Sequence, residues 1–220
     1  MITILQQALK SQHDEVVKAA SETISNLNLQ QEFVAEIRAD YTYWLNEGPP
    51  YPQGAGSVPY NPAGRLFDLL AAAKALTYED LLNAAGTTRR RDVKEKAVDE
   101  ISKYMQRDDE AHQQVMHDIR TNKLSSAVLL ALSKSYPDYC RKYAADFVAL
   151  LEVDSFEGKI HCLAVLGAGW ANLEQVEPTL RSLFDDLNPD IRDEAVNVLR
   201  KLQEAQKTLT AVFPHNTVLN

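Results

Sequence analysis

The amino-acid sequence predicts an all-α protein, and three observations favour that fold class. Only eight glycines and nine prolines occur in 220 residues, and several are clustered, so long stretches contain no helix breaker. Apolar residues recur at spacings of three and four, which is typical of amphipathic helices. Few segments show the β-branched alternation that a sheet requires. Within this class we expect an α-solenoid of antiparallel helix hairpins that stack side by side, an expectation that rests on the hairpin at residues 176–203.

The boundaries of the helices follow from the apolar periodicity and from the positions of proline and glycine. Pro137 and Pro178 mark helix starts, while Gly167 and Gly169 mark a helix end. The predicted helices span residues 2–10, 13–27, 30–46, 64–75, 77–85, 91–105, 108–120, 123–134, 137–152, 156–168, 173–187 and 190–206.

These helices are predicted to form one helical-repeat domain, residues 1–213. Helices at 1–46 come first, an irregular loop at 47–64 follows, and a repeat region occupies 65–213. The loop holds five prolines and four glycines, so it cannot be a helix or an interior strand. Residues 214–220 are predicted to be a flexible tail.

The irregular loop is a candidate binding element, because a long loop in a compact domain is often functional. Tyr51 and Tyr60 are flanked by proline and could offer rigid aromatic contacts to a partner, with Trp44 just before them. The alternative is that these aromatic side chains pack back onto the first helices and tether the loop.

The clearest helix hairpin lies between Val176 and Gln203. Its first apolar stripe consists of Leu180, Leu183, Phe184 and Leu187. Its second stripe consists of Ile191, Ala195, Val196, Leu199 and Leu202. Asn188-Pro189-Asp190 forms the turn between them, with Asp190 placed to cap the second helix. Such a hairpin cannot bury both stripes alone, so it needs neighbouring hairpins.

This hairpin resembles a HEAT repeat. The turn at 188–192, followed by Ala195, Val196 and Leu199, looks like the turn and second helix of that family. The resemblance implies that Asp190 and Arg192 sit between adjacent units. A similar pattern of residues, which begins at Ile191 in this hairpin, also begins at residues 16, 93, 123 and 158. From residue 93 to residue 191, successive starts are 30 to 35 residues apart. The resemblance is credible over residues 93–203.

The charge of the chain bears on its partners and its location. A net charge of -8 and a pI near 5.2 disfavour nucleic-acid binding and suit a protein with a basic face, although acidity also serves solubility alone. The basic triplet 89–91 is expected to be solvated, since acidic residues flank it. The sequence shows no signal peptide, no span for a membrane and no disulfide framework, so we expect a cytoplasmic protein without a membrane partner.

No catalytic, metal or cofactor site follows from the sequence. His112 and His117 are five residues apart, off a common helix face, and are expected to be exposed polar residues. Cys162 lies on an apolar helix beside His161 and is expected to be a packed core thiol. The two Gly-Ala-Gly segments lack the pattern of a phosphate loop.

Two acidic clusters could contribute to a docking face. Asp108, Asp109 and Glu110 stand where a helix begins, so capping is the ordinary explanation for them. Asp185 and Asp186 are expected to face solvent.

Three functions are compatible with these features. The first is a non-enzymatic protein-binding module, best described as an acidic inhibitor or immunity (antitoxin) protein that neutralises a partner such as a bacterial toxin. The second is an enzyme similar to the HEAT-like alkylpurine DNA glycosylases, which use tryptophans on a basic concave face. The third is a helper similar to the HEAT-like phycobilin lyases. The acidic charge and the absence of catalytic motifs favour the first.

Overall fold

The computed structural model describes residues 2–46, 62–86, 90–152, 155–169 and 173–212. These residues form thirteen α-helices and two short 3-10 helices, and none of them lies in a β-strand. The predicted all-α class is therefore confirmed for this part of the chain. The chain divides into two compact units, Met1–Glu100 and Ile101–Asn220. The prediction of one continuous repeat domain stays a prediction.

Unit 1 is built from the first helices of the chain. They are α1 (Ile2–Leu9), α2 (Asp14–Asn26), a 3-10 helix (Gln30–Phe33), α3 (Val34–Asn46), α4 (Ala63–Ala72), α5 (Tyr78–Gly86) and the first part of α6 (Arg91–Met105). Helix α3 packs against α4, and the rings of Tyr41 and Phe67 lie 6.0 Å apart there. Arg38 donates hydrogen bonds of 2.7 and 2.6 Å to the Asp80 carboxylate, which ties α3 to α5.

Unit 2 contains the end of α6 and the remaining helices. They are α7 (Asp109–Arg120), α8 (Ala127–Ser135), α9 (Pro137–Lys142), α10 (Ala144–Leu150), α11 (Phe156–Gly169), α12 (Leu173–Ser182), a 3-10 helix (Leu183–Asp185) and α13 (Pro189–Val212). Helix α11 is the centre of this unit, because it packs against α8, α9, α10 and α13. A Cβ atom at Gly167 would lie 3.3 Å from Val198, so glycine allows α11 and α13 to approach closely.

Most predicted helices are present, with bounds within a few residues. The predicted helix 137–152 is interrupted at Tyr143, and the last helix extends to Val212 rather than ending at 206. Pro178 lies inside α12, so the prediction that it starts a helix is wrong. Helix α4 begins at Ala63, so the last two residues of the predicted loop 47–64 are helical. The rest of that loop from residue 47 to 61, and the tail 214–220, lie outside the described residues.

The buried thiols agree with the sequence analysis. Cys140 and Cys162 are free and buried, and burial raises the pKa of each to about 12, so neither is a reactive thiolate. Along the described helices, no segment combines the length and the apolar character that crossing a bilayer demands.

Candidate protein-binding site

The turn between α12 and α13 is held by side-chain hydrogen bonds to its own backbone. The Asn188 amide N–H donates to Asp186 Oδ1 at 3.0 Å, and the Asp190 amide N–H donates to Asn188 Oδ1 at 2.9 Å. Pro189 is the first helical residue of α13 and offers no amide hydrogen there. The residue that caps α13 is thus Asn188, and the prediction that Asp190 does so is wrong.

Two cationic side chains, Lys159 and Arg192, bind the same turn. Lys159 of α11 lies 2.7 Å from Asp186 Oδ2, and both side chains are mostly buried, with 17% and 12% of their surface exposed. This hydrogen bond lowers the pKa of Asp186, and the amide of Asn188 adds to the effect. Arg192 donates to the Asp186 carbonyl oxygen at 2.7 Å and to that of Leu187 at 3.3 Å. The turn is therefore rigidly connected to α11 and α13.

Leu187 stands at the top of this turn with 98% of its surface exposed. The sequence predicts it in a buried stripe, and that prediction is wrong. The backbone tightens into a 3-10 helix at Leu183–Asp185 and then becomes extended at Asp186, with φ -58° and ψ 144°, so the helical periodicity ends before Leu187. The Asn188-Pro189 pair, a cap followed by a first-turn proline, is the sequence signal that indicates this end.

Two more exposed apolar side chains lie close to the turn. Phe156 precedes Lys159 by one helical turn on α11 and is 46% exposed. Val196 follows Arg192 by one turn on α13 and is 48% exposed, so its predicted place in the buried stripe is also wrong. Lys159 and Arg192 both contact the turn, so Phe156 and Val196 each lie one helical turn from a side chain that holds it.

Exposed acidic side chains lie on both sides of the turn in sequence, in the 3-10 helix and in the first turns of α13. Asp185, Asp190 and Asp193 are exposed, and none of them forms an ion pair within the described part of the chain. By contrast, the nearby cations Lys159 and Arg192 are engaged with Asp186 and the turn backbone. The apolar residues Phe156, Leu187 and Val196, together with Asp185, Asp190 and Asp193, are called the Leu187 surface below.

The other predicted acidic cluster has a different role. Asp108 caps α7, because its carboxylate accepts a 2.8 Å hydrogen bond from the amide of Ala111, as the sequence predicts. Asp109 accepts a hydrogen bond from the Tyr143 hydroxyl and lies 3.3 Å from Lys142 Nζ. These two contacts lower the pKa of Asp109. Glu110 is exposed.

Helix α7 also carries a buried histidine that the sequence analysis predicts to be exposed. His112 is fully buried; its Nε2 lies 2.9 Å from Asp146 Oδ2, and its Nδ1 lies 2.6 Å from the Tyr139 hydroxyl. Its ring stacks on Tyr143, with 3.8 Å between the ring centroids. Burial lowers the pKa of His112, and hydrogen bonding to Asp146 opposes that shift. The prediction of exposure is wrong for His112 and confirmed for His117.

The remaining predicted site residues do not join the Leu187 surface. Trp44 is 2% exposed, in the core of unit 1, where its carbonyl oxygen accepts a 3.3 Å hydrogen bond from Arg90. Arg90 is itself buried, so the predicted solvated arginine triplet is wrong at that position. Tyr51 and Tyr60 lie outside the described residues.

The comparisons with known proteins assign no family. No protein-family model matches the chain, and a search of the curated proteins finds no match. Within the described ranges, no three histidine, cysteine, aspartate or glutamate side chains come together in a way that could hold a metal ion.

Proposed function

We propose that this chain is a non-enzymatic protein-binding module, an acidic inhibitor or immunity-type protein that binds and neutralises a partner with a basic face, such as a bacterial toxin. The observation that carries the proposal is the almost complete exposure of Leu187 on a turn whose polar groups are already bonded. A large apolar side chain held this way in water has no role in the packing of its own unit.

The rigidity of the turn supports a role in recognition. Binding that must first order a loop loses free energy to that ordering, at about 0.5 to 1.5 kcal/mol per immobilised side chain. The Lys159–Asp186 ion pair and the Asn188 cap hold the turn before any partner arrives. Protein interfaces commonly have a few anchoring side chains at their centre, and the contacts around these anchors contribute little to the binding free energy.

The charge around the anchor supports the choice of a basic partner. Asp185, Asp190 and Asp193 are not neutralised within the described part of the chain, so they project negative potential around Leu187. Complementary charge at the rim of an interface raises the association rate and excludes like-charged partners. The net charge of -8 adds a long-range attraction of the same sign.

HEAT-like hairpins are part of the same proposal. Helices α12 and α13 pack against each other, and α11 packs against α13, as neighbouring repeat helices would. Two frame positions are buried in each of three predicted units: Ala97 and Ile101, Cys162 and Leu166, and Ala195 and Leu199. Repeats of this kind present extended surfaces for protein binding without needing a catalytic pocket.

The test is co-purification of a partner with charge-reversed variants. The full chain is used as bait in cell extracts, beside the double variant Asp185→Lys with Asp193→Lys. The matched control is Glu32→Lys with Glu79→Lys, two exposed acids of unit 1. We expect a basic protein to be captured by the parent chain and the control, to be lost from the first variant, and to be released as salt rises.

Capture that is equal for all three baits, or an acidic partner, would contradict the proposal. Unfolding midpoints of the variants within a few degrees of the parent chain are the check on folding. Excision of alkylated bases or transfer of a bilin pigment by the purified chain would instead favour the glycosylase-like or lyase-like alternative.

A further inference from the structure

Unit 2 contains a cavity of about 300 Å³ that opens beside the first turn of α11. Apolar side chains line part of it, among them Leu124, Leu129 and Leu150. The first turn of α11 contributes Glu157 and Gly158 to the cavity and also carries Lys159, which contacts Asp186 in the turn of Leu187. The cavity therefore borders this turn through the first turn of α11, within the same unit.

Some polar groups that line the cavity form hydrogen bonds to described residues, and others do not. Ser126 Oγ lies 2.8 Å from His161 Nδ1, and Ser155 Oγ accepts a 2.9 Å hydrogen bond from the Gly158 amide. By contrast, the exposed Glu157 carboxylate and Asn122 side-chain amide make no hydrogen bond or ion pair to any described residue, and Glu157 acts on His161 through its charge alone. Two acceptors therefore line the cavity together with the apolar side chains.

This combination selects a particular ligand chemistry. A cavity lined by apolar side chains and a carboxylate fits a long alkyl stem that ends in a cation. A carboxylate and a side-chain amide together offer more than one acceptor, which fits a planar guanidinium with five N–H donors better than a single ammonium point charge. The volume lies at the lower end of the range for ligand sites, so it fits one side chain rather than a large ligand.

We propose that this cavity receives an arginine side chain of the basic partner, with its guanidinium on Glu157 and Asn122 and its stem against the apolar lining. The inference rests on the proposed function, because the cavity borders the surface on which that partner binds. In this arrangement Leu187 of this chain contacts the partner, and the arginine side chain of the partner enters the cavity.

The test uses N-acetyl-arginine N-methylamide as a probe and follows the amide resonances of the full chain by NMR. We expect saturable shifts at Ser126, Glu157 and Gly158. The neutral analogue N-acetyl-citrulline N-methylamide has nearly the same shape, and we expect it to bind about twofold to fivefold more weakly, as is typical for the loss of one exposed ion pair. Glu157→Gln should weaken the arginine probe by a similar factor.

Two further variants complete the design. Asn122 has φ 56°, so Asn122→Gly removes the amide while keeping a backbone conformation that glycine adopts freely, and it should also weaken the probe. Glu110→Gln removes an exposed carboxylate elsewhere in unit 2 and should leave the probe affinity unchanged.

The outcomes separate this inference from the proposed function. Absence of shifts at the cavity, or equal binding of the citrulline probe, overturns the arginine site even where Leu187 proves essential for the partner. Probe binding that depends on Glu157, in a chain whose partner capture ignores Asp185 and Asp193, supports the cavity site and contradicts the proposed docking surface.

Discussion

The two acidic clusters of unit 2 have similar sequences and opposite roles. In the first cluster, the carboxylates are bonded within the unit. Asp109 contacts Tyr143 and Lys142, and Asp108 caps α7, beside the buried ring of His112. Around Asp186, the carboxylate of Asp186 holds a turn, and Leu187 and Asp185 are exposed to solvent there. One cluster stabilises its unit, and the other presents a surface.

The difference shows that the number of acidic residues does not indicate whether a cluster is a docking face. The two clusters differ in what their hydrogen bonds hold in place. Only the bonds of Asp186 hold a turn on which a large apolar side chain, Leu187, is exposed to solvent. A buried polar network contributes stability when all its members are bonded, and its bonds can together be worth more than the sum of the single bonds. An exposed anchor contributes almost nothing to folding, so it can be changed without loss of structure.

The largest expected effect on stability is at His112. His112→Ala removes the hydrogen bonds to Asp146 and the Tyr139 hydroxyl, the stack on Tyr143 and the volume of a fully buried ring, so the free energy of unfolding should fall by about 2 to 4 kcal/mol. Denaturant titration followed by circular dichroism measures this loss. A decrease below about 1 kcal/mol would mean that the buried network has no stabilising role.

A smaller loss is expected where the turn is tied to α11. Lys159→Met keeps the alkyl stem but leaves the half-buried Asp186 without its cation, so stability should fall by about 1 kcal/mol. The partner should also dissociate faster, because the turn loosens. Lys142→Met is the matched control, since its ion pair with Asp109 is exposed on both sides and its loss should change neither quantity. Equal effects of the two variants would contradict the distinction between the clusters.

The pH dependence of stability sharpens the comparison. The folded-state pKa of His112 is lowered from its ordinary value of 6.5, so the unfolded chain binds a proton first as the pH falls below 6.5. The stability contribution of neutral His112 is complete above that pH and is lost as the pH falls toward the lowered pKa. His112→Gln should therefore lower the free energy of unfolding by more at pH 7.5 than at pH 5.5. A cost independent of pH would show that His112 titrates normally.

The smallest expected effect is at Leu187. Leu187→Asp should change the free energy of unfolding by less than about 0.5 kcal/mol, because the side chain is 98% exposed. Thermal unfolding by circular dichroism measures the change. A loss above 1 kcal/mol would mean that Leu187 packs against the unit and is not a free anchor.

Local sequence signals predict the helices well and the site poorly. Apolar spacing places α6 at 91–105 correctly, and the capping pattern identifies Asp108, because both depend on neighbours within one turn. His112 is misjudged because its partners Tyr139 and Asp146 lie 27 and 34 residues away. Helical spacing within α7 carries no information on groups that arrive from α9 and α10.

Leu187 is misjudged for a different reason. Its spacing from Leu183 fits a continued helix, and only the 3-10 turn at Leu183–Asp185 and the extended Asp186 break that continuity. The break has a local signal in the Asn188-Pro189 pair, and Lys159 of α11, 27 residues earlier in the chain, also contacts Asp186 there. Apolar periodicity alone registers neither the cap nor this tertiary contact.

The central claim is that recognition depends on the exposed anchor of the Leu187 surface, and one affinity measurement tests it directly. The captured partner is titrated by calorimetry against the parent chain, Leu187→Asp and Leu209→Asp. Leu209 is the control, since it is 51% exposed on the same helix, α13, 19 residues beyond Asp190 and so about 30 Å from the turn. We expect Leu187→Asp to weaken binding about thirtyfold or more and Leu209→Asp to leave it unchanged. Equal affinities for the two variants would contradict the account.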